Sequence, residues 1–232
     1  MNRLIKLLSL ILISTSIFWV YQKTKNSHYQ IMSIGDSFSL GITSYGVTED
    51  SYLDDMKDQL SKTKTKIELN TTYNQKDQNI KNSMMLLKQT PNIKKSLYDA
   101  DLLILSIGYN DVLYALTLEE NPSQIKIQKI MAQIESNYNE LINEIRKYYH
   151  ESIIVIGYIE DDRYDSYKQN CIKQLNQILK SNQEVIYINT NELLKKRKKY
   201  YSNPQSNYPN SLGYKRIANK IIQKTLENKE NI

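Results

Sequence analysis

Five short apolar runs alternate along this chain with longer stretches whose apolar residues recur at helical spacing, and that alternation leaves few folds open. The runs cover 31–34, 66–69, 101–107, 152–159 and 185–188. Between and after them, 51–62, 77–89, 123–149, 167–182 and 211–228 read as amphipathic helices, with Leu53, Met56 and Leu60 marking the first and Ile80, Met84 and Leu87 the second. Pro91 breaks that second helix. A strand apolar along its whole length is covered on both faces, which is the condition of a parallel sheet between two layers of helices. The expectation is therefore α/β: a three-layer α/β/α sandwich of flavodoxin-like type on a five-stranded parallel sheet, formed by residues 26–232.

Residues 1–25 differ in kind. The stretch 7–21 is apolar apart from Ser9, Ser14, Thr15 and Ser16, follows Arg3 and Lys6, and ends near Trp19 and Tyr21. At 1.5 Å per residue it is long enough to cross a bilayer core of about 30 Å. No small-x-small cleavage site and no lipid-accepting cysteine follow it. It reads as an uncleaved signal anchor, a single transmembrane helix holding the domain outside a bacterial cell membrane, with a cleaved signal as the alternative. The anchor also accounts for most of the charge. Of 31 basic residues, Arg3, Lys6, Lys23 and Lys25 lie in it, leaving 27 against 25 acidic ones in the domain, and so no general attraction to nucleic acid. The one cysteine, Cys171, excludes an internal disulfide.

Two of the runs stop at glycine followed by polar residues. The first ends Gly35-Asp36-Ser37, the third Gly108-Tyr109-Asn110-Asp111. Both turns fall at the carboxyl edge of a parallel sheet, where ligands bind in open α/β folds. In these blocks, and in 203–214 with Pro209, Asn210, Gly213 and Tyr214, the chain resembles the SGNH/GDSL hydrolase family. That resemblance implies an SGNH hydrolase fold, Ser37 as nucleophile, and Ser37 and Asn110 as oxyanion donors, with Gly35, Asp36, Gly108 and Asp111 in support. It also implies no metal and no cofactor, and a small-molecule or cell-envelope glycan ester as substrate.

Where the resemblance calls for Asp-x-x-His-Pro, the positions hold Gln205 and Tyr208. A tyrosine phenol, with a reference pKa near 10, is a poor base at neutral pH. The only histidines, His28 and His150, precede the first and fourth strands and so belong to the opposite edge. There is also no glycine between Gly46 and Gly108 to supply the family's second oxyanion amide, for which Asn74 is the candidate. The expectation is a catalytically impaired scaffold, a pseudoenzyme that keeps its crevice as a binding module for an envelope glycan or a protein partner. The alternatives are an active serine esterase or carbohydrate O-acetyl hydrolase using Ser37 and Asn110, and a flavodoxin-like binding domain without hydrolase ancestry. The basic run 195–199 reads as a solvated helix end, and Glu160-Asp161-Asp162 with Asp165 as a polar loop lacking calcium-loop spacing.

Overall fold

The computed structural model describes residues 28–63, 66–118, 121–160, 166–203 and 206–230. The expected anchor over 1–25 lies outside the described residues. Among those described, no helix is long and apolar enough to cross a membrane.

The five expected strands form one parallel sheet: β1 (His28–Gly35), β2 (Lys66–Asn70), β3 (Leu102–Ser106), β4 (Ile153–Ile156) and β5 (Val185–Ile188), in the spatial order β2-β1-β3-β4-β5. β3 and β4 are buried at every residue, whereas the edge strands β2 and β5 are part-exposed, which is why they read least clearly as apolar runs. Alternate residues serve opposite layers. On one face Met32, Ile34, Leu103, Leu105, Ile153 and Val155 meet α2 (Ile80–Gln89), α3 (Pro91–Asp99), α4 (Tyr109–Thr117), α5 (Gln124–Arg146) and α6 (Ser166–Ser181). On the other, Ile31, Leu102, Ile104, Ile154, Ile156 and Ile188 meet α1 (Tyr52–Leu60) and α9 (Ser211–Glu230). Between β5 and α9 run two single turns, α7 (Thr190–Leu193) and α8 (Arg197–Tyr200).

Several local expectations change. Pro91 does break the expected second helix, since α2 ends at Gln89, but it also opens the unexpected α3 from its first position, where a missing N–H costs no bond. The segment after Gly108 is the helix α4 rather than a turn, entered through Gly108 at φ 106°, a conformation that favours glycine. The first helix stands where it was expected: residues 37–40 form a turn, and α1 starts at Tyr52 behind a capping box made by Ser51 and Asp54. The fourth strand stops at Ile156: Gly157 N–H still donates to Ile188 C=O at 3.0 Å, and Asn176 of α6 then takes the backbone groups of Tyr158. Its amide oxygen accepts from Tyr158 N–H and its NH₂ donates to Tyr158 C=O, both at 2.8 Å. That exchange turns Tyr158 out of the sheet.

The order β2-β1-β3 places a topological switch between β1 and β3. Connections leave these two strands toward opposite sides, so a crevice opens beyond their carboxyl ends. Gly35 pairs with Ser106 there, and the ladder extends one step further through Asp36 N–H to Ser106 C=O at 2.9 Å.

Candidate functional site

The turn after β1 is wrapped around its own aspartate. Asp36 C=O accepts from Ser39 N–H at 3.0 Å, and Asp36 Oδ1 accepts from Phe38 N–H at 3.0 Å. Gly35 serves close approach rather than an unusual backbone angle: a Cβ there would lie 2.1 Å from Ser39 Oγ. The Asp36 carboxyl is buried, taking Ser106 Oγ on Oδ1 at 2.9 Å and the Tyr158 hydroxyl on Oδ2 at 2.7 Å. Burial pushes its pKa up to about 6 against the pull of those donors. With its acceptor positions so engaged, Asp36 fixes the turn that carries Ser37.

Ser37 Oγ donates to the carbonyl oxygen of Lys76 at 2.7 Å. Asn110, in the first turn of α4, points its NH₂ to the same loop, donating to Gln78 C=O at 2.9 Å and reaching Lys76 C=O at 3.4 Å. Ser37 and Asn110 therefore face one another across a single oxygen at the crevice floor. The backbone N–H of Ser37 has no partner among the described residues. Asp111, beside Asn110, accepts Ile80 N–H at 3.0 Å and so caps α2; burial raises its pKa to about 6.

The remaining sites of interest are placed as follows. Asn74 does not offer its amide to the crevice, because that N–H donates to Thr71 C=O at 3.0 Å and the next amide, Gln75 N–H, donates to Gly35 C=O at 2.9 Å. A loop without glycine folds back on itself and presents a carbonyl where an oxyanion donor was expected. Tyr208 lines the crevice, its backbone held by Ser206 Oγ and Ser44 Oγ, and its hydroxyl meets no partner among the described residues. Gln205 lies outside the described residues. His28 opens β1 opposite Lys66, with Nδ1 3.7 Å from Glu68 Oε1. His150 sits by Ser152 and Val185 at the entrance of β4 and β5. The eight residues of β1 separate that edge from Ser37, about 25 Å at 3.3 Å per residue. Neither imidazole reaches the serine.

Sequence reasoning missed the aromatic wall. Tyr109 and Tyr158 stack with ring centroids 5.2 Å apart, and Asn207 donates to the Tyr109 hydroxyl at 3.1 Å. With Ser37, Asn110 and Tyr208 they line a cavity of about 450 Å³. Its available signal was position: Tyr158 directly follows Gly157 at the end of a strand on the crevice edge. Lys76 had none, because a carbonyl's direction belongs to the backbone and not to the side chain.

Comparison with known proteins adds the following. The family model for GDSL-like lipases/acylhydrolases matches residues 33–216. Among solved structures, a lipase from a goat rumen metagenome superposes with a TM-score of 0.69 at 18% identity, covering 84% of this chain and 96% of its own. An acetylxylan esterase from Geobacillus stearothermophilus superposes with a TM-score of 0.59 at 17% identity, covering 86% of this chain and 96% of its own. Structures of that esterase described as catalytic mutants replace a serine, an aspartate or a histidine by alanine. At such identities these likenesses speak for the fold. No curated protein matches the sequence.

Proposed function

The chain belongs to the GDSL-like lipase/acylhydrolase family, and we propose that within it this protein is a binding variant, whose crevice holds an ester or glycan of the cell envelope and cleaves it poorly. The observation that carries this reading is the hydrogen bond from Ser37 Oγ to Lys76 C=O. A serine hydroxyl is essentially unionised at neutral pH and attacks only when a base takes its proton. A peptide carbonyl accepts a hydrogen bond but cannot accept that proton. The same carbonyl points toward the place where negative charge would develop, where catalysis needs donors. Loss of a positioned base alone slows such chemistry by ~10²–10⁴-fold.

A second reading, an active esterase or O-acetyl hydrolase, draws support from one feature. Ser37 Oγ and Asn110 Nδ2 approach one carbonyl group, and on an ester the hydroxyl would have to reach the carbonyl carbon while the amide holds its oxygen. Hydrolysis of p-nitrophenyl acetate by the wild type and by Ser37→Ala separates the two. Equal, near-background rates are expected; serine-dependent turnover well above background would establish the esterase.

We infer in addition that residues 1–25 tether the domain to a membrane, on the strength of their apolar run behind Arg3 and Lys6. The full chain is expected to stay with membranes through an alkaline carbonate wash and a chain lacking residues 1–25 to be released. Release of both would refute the tether.

A further inference from the structure

The basic run beside the crevice is more than a frayed helix end. Lys195 pairs with Glu192, and Arg197 donates to Ser206 C=O at 2.7 Å while lying 4.3 Å from the Tyr201 ring centroid. The other cations are exposed, and no carboxylate among the described residues pairs with them: Lys196, Lys198, Lys199 and, from α9, Arg216. Two are held in place. The buried Tyr200 ring carries Lys199 Nζ at 5.5 Å and the Arg216 guanidinium at 5.4 Å, and Arg216 Nε donates to Leu193 C=O at 2.8 Å.

This ridge is joined to the crevice wall. Asn210 N–H donates to Tyr200 C=O at 2.8 Å and its side chain to Lys199 C=O at 3.1 Å, while Arg197 holds Ser206. Ser206, Asn207 and Tyr208 of the segment so bound line the crevice. The ridge follows β5 and so shares the carboxyl edge with Ser37, whereas the chain enters the sheet with His28 at the other edge.

An exposed cation gains little from a single anion, because water screens the pair. Several cations fixed on one surface favour a ligand that brings several anions on one chain. We propose that Lys196, Lys198, Lys199 and Arg216 form a binding site for a linear polyanion of phosphate- or carboxylate-bearing units, which runs past the mouth of the crevice. The site does not depend on whether Ser37 turns over an ester.

The test is fluorescence anisotropy of end-labelled long-chain inorganic polyphosphate with the full-length chain over a salt series. Replacing Lys196, Lys198 and Lys199 together by alanine should weaken binding about tenfold at roughly 0.1 M salt and flatten the log–log salt slope by about 2. Replacing the exposed Lys81, Lys129 and Lys173 together, which removes the same charge elsewhere, should change it less than about twofold. Lys198→Glu alone should weaken binding in the same direction, which guards against a folding defect in the triple variant. Equal losses in the two triples would reduce the effect to net charge and overturn the site, as would absence of binding. Tighter binding to single-stranded DNA, or to anionic-lipid vesicles without binding to polyphosphate, would overturn the assignment to a polymer of this kind.

Discussion

Asp36 sits directly before the serine, and its environment makes a pH-dependent prediction. Its pKa is raised to about 6 by burial, from an unfolded value near 3.9. Between these values the folded chain keeps a proton that the unfolded chain has lost, so raising the pH favours unfolding. Its contribution is therefore fully present below about pH 4 and lost as the pH rises through about 6. Asp36→Asn keeps an oxygen acceptor and a donor but cannot titrate. Thermal melting should show the variant gaining on the wild type as the pH goes from 4 to 7; a difference that stays constant would mean the carboxyl is not so perturbed. Gln205→Asp with Tyr208→His tests the missing base. If only the base and its orienter are missing, serine-dependent turnover should rise at least about tenfold; no rise would put the obstruction at the Lys76 carbonyl.

Among the elements, the strands were the most legible, because burial on both faces writes an apolar run into β1, β3 and β4. The edge strand β2, with one face open, is more polar for the same reason. The helix α4 escaped because a glycine-led turn and a glycine-led helix start with the same residues, and only the left-handed Gly108 decides between them. The loop between β2 and α2 was the hardest. That it lacks glycine could be read off; that Asn74 would spend its amide on Thr71 and Lys76 would aim its carbonyl at Ser37 could not, since peptide orientation leaves no mark on side-chain type. Asp111 links this loop to Asn110 through its bond to Ile80 N–H. Asp111→Ala should lower stability by about 1–2 kcal/mol, the usual cost of losing a helix cap, measured by urea unfolding; an unchanged midpoint would show that the cap contributes nothing.

In the molecule as a whole, parallel strands have one direction, and that settles which groups can meet. Ser37 and Asn110 leave the sheet at its carboxyl edge on either side of the switch between β1 and β3, while His28 and His150 enter at the amino edge. This much followed from strand order alone. The aromatic wall of Tyr109 and Tyr158 did not, because it depends on Asn176 diverting the chain after β4. The most direct measurement is the rate at which a fluorophosphonate labels Ser37, followed by intact-protein and peptide mass spectrometry. A serine that donates to a peptide carbonyl should label no faster than background over hours and gain reactivity in the Gln205→Asp, Tyr208→His chain; rapid stoichiometric labelling of Ser37 in the wild type would contradict the account.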